Sequence, residues 1–369
     1  MRRWAGKLVQ ERVPVTGSFA LTHRCNLRCV HCYLGPLPAC DALAAQELST
    51  DQIRSILDEV TEAGCLFLLL TGGEPLLRND FADIYRHAKL NGLLVTIFTN
   101  ATLIHDGILE LFDQLPPRGV EITLYGASAA THERITGVRG SYERCRRAIE
   151  RLLEHGVNVK LKTVLMGPNQ GEFADMERLA KDYGVAFRFD AAIFPRLDGD
   201  KSPLSLRVSP QEAVAYELAD RNRLGTLCEY FDRMQDVTMP DSLYCCGAGV
   251  TSFHIDPYGN LQPCLMTHKY QYNLLIGTPS RPHGGGSFDV GWRGAMSHIR
   301  DRKVDASFAC RDCDKRSMCG YCPAFFDWEM GAEDLPSKYL CALGELRHTK
   351  VREEYLVGTP SRPGGTGRT

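Results

Sequence analysis

The chain has 369 residues, 44% hydrophobic and 24% charged. That composition excludes a disordered or fibrous protein and is long enough for one large domain and a smaller companion. A net charge of −2 gives no basic field for nucleic acid or an anionic membrane, which leaves a small molecule or a protein as the expected partner. No apolar run approaches the roughly 20 residues that span a bilayer, and the basic start has no apolar segment behind it, so a cytoplasmic protein is expected. The 15 cysteines of a chain without a secretion signal point to metal or redox chemistry rather than a disulfide framework.

After an N-terminal extension over 1–16, residues 17–195 alternate aliphatic runs with amphipathic segments, the signature of repeated βα units. GSFALTH predicts the first strand. In LSTDQIRSILDEVTEAG, Ser49 and Gln52 form a candidate capping box, Ile53, Ile56, Leu57 and Val60 share a face, and Gly64 ends the helix. Strands two to six follow at CLFLLL, LLVTIFTN, GVEITLYG, NVKLKTVL and AFRFDAA, with helices around 81–91, 105–114, 141–155 and 172–183. Six such units make a partial (β/α)6 TIM-like barrel or a doubly wound sheet, and in both, ligands gather at the C-terminal strand ends. Alternation puts Glu121, Thr123 and Tyr125, then Asn158, Lys160 and Lys162, then Arg188 and Asp190 on one face of the last three strands. That face is either the polar lumen of an incomplete barrel or a solvated side of the sheet. Residues 196–244 form a connector with a single amphipathic helix in SPQEAVAYELADRNR. A small cysteine-rich domain is expected over 245–345 and a partly disordered tail over 346–369, with GTPSRPHGGGS (277–287) as a flexible insertion.

Cys25, Cys29 and Cys32 stand at the end of strand one, TGGEP follows strand two, Thr99-Asn100 strand three and YGAS strand four. Three thiolates so close can wrap an iron–sulfur cubane and leave one iron free, whereas structural zinc takes four protein ligands. Cys25-x3-Cys29-x-His31-Cys32 resembles the Cys-x3-Cys-x-aromatic-Cys hallmark of the radical S-adenosylmethionine (SAM) superfamily, with His31 in the aromatic place. Gly72-Gly73-Glu74-Pro75 resembles that family's GGEP. The resemblance implies a [4Fe–4S] cluster on the three cysteines, whose open iron chelates SAM, and a 5′-deoxyadenosyl radical that abstracts substrate hydrogen. It implies cofactor contacts from His31, Gly72, Gly73, Glu74, Pro75, Asn100, Thr123 and Arg144, and makes Asp190, Lys160, Lys162 and Arg188 candidates inside the barrel, Asp190 as a catalytic residue.

Further on, Cys310-x2-Cys313-x5-Cys319-x2-Cys322 reads by itself as a zinc ribbon. Taken with Cys246, Cys264 and Cys341, it resembles the SPASM extension of radical SAM enzymes, which holds auxiliary iron–sulfur clusters. By that resemblance Cys310, Cys313, Cys319 and Cys341 bind one cluster, and Cys246, Cys264 and Cys322 another, with Cys245 or Cys228 a candidate fourth ligand. Asp256-Pro257-Tyr258-Gly259 predicts a tight turn in a hairpin that delivers Cys264. Cys40, Cys65 and Cys145 read as structural thiols. The resemblance implies modification of a peptide or protein side chain, such as crosslinking in a ribosomally made peptide, and an electron donor of the flavodoxin or ferredoxin type. Leu265, where sulfatase maturases carry an acid, places that activity lower. The short stretch before strand one suggests a separate leader-peptide-binding protein. A tetrapyrrole substrate is the alternative within the class, and a non-catalytic iron–sulfur or zinc protein the alternative outside it.

Overall fold

The computed structural model describes residues 2–35, 44–234, 237, 241–277 and 286–358. Cys40, most of the 277–287 insertion and residues 359–369 lie outside the described residues. Six parallel strands carry the first part of the chain: β1 (Thr16–Thr22), β2 (Phe67–Gly72), β3 (Leu94–Thr99), β4 (Gly119–Thr123), β5 (Val159–Val164) and β6 (Ala186–Asp190). Each pairs with the next in sequence order, without the reversal that defines a doubly wound sheet, so the partial barrel is the architecture formed.

The helices of this part are α1 (Arg2–Glu11), α2 (Thr50–Glu62), α3 (Phe81–Leu90), α4 (Asp106–Gln114), α5 (Ala129–Thr136), α6 (Ser141–Glu154) and α7 (Phe173–Asp182). In α2 the capping box forms in both directions, Gln52 N donating to Ser49 Oγ at 3.3 Å and Ser49 N to Gln52 Oε1 at 2.8 Å. Its buried Ile53, Ile56, Leu57 and Val60 each contribute about 1.5–3 kcal/mol of apolar burial. Helix α5 has no counterpart in the sequence reading, because its buried face is made of Thr131, His132, Ile135 and Thr136 and carries no apolar period.

Beyond β6 the observed division departs from the 196–244, 245–345 and 346–369 partition. Two compact units form, one of residues 1–207 and 244–302, the other of 208–243 and 303–369. Strand β7 (Ser252–Ile255) pairs in parallel with β1, and β8 (Asn260–Gln262) and β9 (Tyr272–Asn273) continue antiparallel, so the expected hairpin extends the main sheet to nine strands. Gly17 makes room for this: a Cβ there would lie 2.3 Å from the Phe253 ring.

The second unit is helical, with α8 (Pro210–Ala219), α9 (Arg221–Met234), α10 (Pro323–Met330) and α11 (Lys338–Gly358). The expected single connector helix is two, because Asp220 is extended and its carboxylate accepts from Arg223 N at 2.8 Å, starting α9 afresh. Helix α11 runs through the boundary expected at 345. Phe231, Met318 and Val351 form a small core, and Arg347 grips Glu217 with two bonds of 2.7 and 2.5 Å. Among the described residues no helix is long and apolar enough to cross a membrane.

Candidate active site

The Cys25–Cys32 loop leaves the end of β1 and is pinned by backbone bonds to the end of α5, Arg28 N to Thr136 O at 2.8 Å and Val30 N to Ile135 O at 3.0 Å. From the other side the Glu47 carboxylate accepts from Thr22 Oγ1 (2.5 Å), His23 N (3.3 Å), Arg24 Nε (3.3 Å) and Arg24 Nη2 (3.1 Å), with Arg78 Nη1 at 3.8 Å. With its side chain 1% exposed, Glu47 is a buried charge stabilised by two guanidiniums and two further donors.

Gly72 and Gly73 are required by the chain itself. A Cβ on either would lie 2.2 Å from the carbonyl oxygen of Thr22 or Arg24, and Gly72 has φ +137. Gly73 N donates to Thr22 O at 2.7 Å and Glu74 N to Arg24 O at 2.9 Å, which seats the GGEP turn against the start of the cysteine loop.

Glu74 differs from the expected partner for a SAM ammonium. It is fully buried, and its carboxylate accepts from Thr99 Oγ1 at 2.8 Å, Asn100 N at 2.8 Å and Leu76 N at 3.1 Å, tying β2 to β3. Burial raises it to about 7 despite these bonds. Pro75 is buried at the first position of a 3-10 turn. Asn100 Nδ2 donates to Asn26 Oδ1 at 2.9 Å and lies 3.8 Å from Cys25 Sγ, so its amide also steadies the loop.

These elements surround a cavity of about 380 Å³ at the C-terminal ends of the strands. Its lining brings together Cys25, Cys29, His31, Cys32, Gly72, Gly73, Asn100, Thr123, Lys162, Arg188 and Asp190. Glu74, Pro75, Lys160 and Arg144 are not in the lining, and Arg144 and Lys160 are exposed. The reading of 121–190 as a polar lumen therefore holds for one row across three strands, where Thr123 pairs in register with Lys162 and Lys162 with Arg188. Sequence reasoning missed His23, Phe98 and Thr71 in this lining, and missed Glu47 behind it. Strand alternation was the available signal for Phe98; a lone glutamate in a polar stretch gives none.

The donor set suits a cluster. Burial pushes the Cys25 thiol up to about 11 and raises Cys29 and Cys32 as well, so thiolates here require the field of a bound cation. His31 Nδ1 is buried without a hydrogen-bond partner among the described residues, its ring edge-on to Tyr125 at 4.8 Å, and burial lowers it to about 4. A neutral imidazole with an open nitrogen beside three thiols is a place for a polar ligand. Among the described residues no three His, Cys, Asp or Glu side chains converge to hold a single metal ion.

The radical SAM superfamily profile matches residues 19–182, from within β1 to the end of α7. Residues 19–182 thus match a radical SAM superfamily domain. That superfamily uses SAM and a [4Fe–4S] cluster, and Cys25, Cys29 and Cys32 fit the protein ligands of such a cluster. Among its relatives is the AdoMet-dependent heme synthase of Methanosarcina barkeri, 33% identical over 205 residues that cover 56% of this chain and 57% of the relative. Another is the mycofactocin maturase MftC of Mycobacterium ulcerans, 28% identical over 323 residues covering 84% and 83%. The fold is similar to that of Streptococcus suis SuiB bound to precursor peptide SuiA, with a TM-score of 0.65 at 15% identity over 92% of this chain and 79% of SuiB.

The later cysteines divide between the units. In the first, Cys264 lies two residues beyond β8, its Sγ accepting from Met266 N at 3.3 Å, and the next residue, Leu265, lines the radical SAM cavity. Cys246 lies beside Cys245. In the second, Cys310, Cys313, Cys319 and Cys341 come close enough for their charges to act on one another. A glycine makes this approach possible: a Cβ on Gly344, one turn beyond Cys341 on α11, would lie 2.5 Å from Cys319 Cβ. Cys228 packs on the Phe231 core, Cys65 and Cys145 are buried, and Cys322 stands at the N-cap of α10.

Proposed function

We propose that this radical SAM enzyme modifies a side chain of a ribosomally made peptide, forming a crosslink. The observation that carries the reading is the similarity to mycofactocin maturase MftC across 84% of the chain, more than the barrel alone spans. Leu265 supports it, since an isobutyl group rather than an acid faces the cavity next to Cys264.

When bound, the cluster and SAM supply a one-electron cleavage of the cofactor and a carbon radical that takes a substrate hydrogen atom. Cys25, Cys29 and Cys32 hold the cluster, Gly72 and Gly73 keep the cavity wall close to it, and Tyr125 and His31 exclude water from it. Crosslinking then removes one proton and one electron from the substrate. Asp190, whose carboxylate lines the cavity and accepts from Ala192 N at 2.8 Å, receives the proton. Cys310, Cys313, Cys319 and Cys341 hold the acceptor of the electron, while Cys246, Cys264 and Cys322 keep the second auxiliary assignment, with Cys245 beside them. A flavodoxin- or ferredoxin-type donor supplies the reducing electron.

Anaerobic reconstitution with SAM, dithionite and peptides encoded beside the gene tests this. The expected result is 5′-deoxyadenosine together with a peptide lighter by two hydrogens; peptides left unchanged while a tetrapyrrole is consumed would overturn it. That second reading is favoured by the heme synthase similarity over 205 residues.

A further inference from the structure

The row across β4, β5 and β6 contains an imbalance that the radical chemistry does not use. Arg188 is committed to Glu121, its Nε and Nη2 donating to Glu121 Oε2 at 3.2 and 2.6 Å. Asp190, two residues further on the same face, is engaged by Ala192 N. Lys162, between Thr123 and Arg188 in the register, lines the cavity and lies over the Phe98 ring, with the Arg188 guanidinium 5.6 Å from the same ring. Its ammonium makes no hydrogen bond or ion pair among the described residues.

A cation removed from water, beside a second cation whose own counter-charge is already bonded, is costly unless an anion arrives. Burial and Arg188 hold the Lys162 amine well below its ordinary value, outweighing the attraction of Glu121. A ring face is a weak substitute for a carboxylate. The arrangement is that of a vacant half of an ion pair, pre-positioned by Phe98 beneath it and by the Arg188–Glu121 pair beside it.

We propose that Lys162, with Arg188 beside it, is the anchor for a carboxylate of the substrate, and so orients the substrate in the barrel. The inference rests on the peptide reading above for the source of that carboxylate, an acidic side chain or a free C-terminus. Binding sets the incoming carboxylate against the Lys162 ammonium, opposite the Phe98 face, as a charge-assisted contact.

The test is amine acylation of the anaerobically reconstituted holoenzyme by N-hydroxysuccinimidyl acetate, with modification at Lys162 read by peptide mapping. The probes are N-acetylglutamate α-amide, N-acetylalanine and, as a neutral control, N-acetylglutamine amide. A carboxylate next to the amine should lower the neutral fraction and slow labelling at Lys162 about tenfold or more, with the control without effect. Which acid protects tells a side chain from a C-terminus, and Arg188→Gln should raise the concentration needed. The anchor is overturned if neither the acid probes nor a porphyrin bearing carboxylates slows labelling at Lys162, if the control protects equally, or if SAM alone gives all the protection, which would assign the lysine to the cofactor. Protection by a porphyrin bearing four carboxylates, and by neither peptide probe, would keep the anchor and overturn the peptide reading.

Discussion

The two cysteine sites of this enzyme are supported in opposite ways. Around Cys25, Cys29 and Cys32 the protein is complete without help: a nine-stranded sheet, backbone bonds from α5, the buried Glu47 carboxylate with Arg24 and Arg78, and two glycines that admit only one packing. Around Cys310, Cys313 and Cys319 the chain runs in turns, Cys341 stands on α11, Cys313 and Cys341 are exposed, and the core is a few side chains. In the first place the scaffold positions the cysteines; in the second, ligation of the proposed auxiliary cluster would supply much of what a small unit lacks in buried area. A site that must cleave a cofactor productively is preorganised, whereas one that holds a cluster can fold around it.

The largest expected effect comes from replacing Cys25, Cys29 and Cys32 together with alanine. Formation of 5′-deoxyadenosine should cease and about four iron atoms per chain should be lost, while the thermal transition of the sheet stays in place; unfolding of the variant would break the contrast. Changing Cys310 and Cys341 together to serine should do the reverse to structure. Limited proteolysis should then cut within 303–358, while the electron paramagnetic signal of the first cluster persists.

Glu47→Ala should cost about 3–5 kcal/mol in denaturant unfolding of the holoenzyme, because it leaves buried guanidinium groups without their counter-charge. A loss under 1 kcal/mol would show that the cluster, and not Glu47, holds the loop.

The smallest effect concerns pH. His254, buried on β7 with Nδ1 2.8 Å from Ser18 Oγ, is held by burial at about 3. The unfolded chain takes up a proton below its ordinary value that the folded chain refuses, so stability falls as pH drops. From pH 7.5 to 6 the loss from this residue is about 0.8 kcal/mol, and His254→Gln should remove that increment in unfolding curves at the two pH values.

Much of the barrel was legible because its strands and helices obey simple periods, and Cys25, Cys29 and Cys32 because a metal loop is local in sequence. What escaped was non-local or atypical. Helix α5 buries threonines and a histidine, so no apolar stripe marks it. The pairing of β7 with β1 joins residues more than 200 positions apart, and alternation names a strand without naming its partner. Glu74 was legible as a motif residue but not as an acceptor already saturated by β3, and Arg144 could not be told from an exposed helix arginine. Lys162 could be assigned to a face, yet only the fold shows that the neighbouring Glu121 carboxylate is bonded to Arg188 and not to Lys162.

The union of β1 and β7 has a consequence for electron flow. One end of β1 runs into Cys25, and its edge carries the strand that leads to Cys264, in a register fixed from Thr16↔Ser252 to Phe19↔Ile255. Tunnelling rates fall steeply with distance, and if Cys264 holds an auxiliary cluster as proposed, the strands that lead to it and to Cys25 are joined by main-chain hydrogen bonds rather than by side chains. Coupling between two such clusters would then depend on a backbone framework that substitutions of the cavity-lining side chains leave in place.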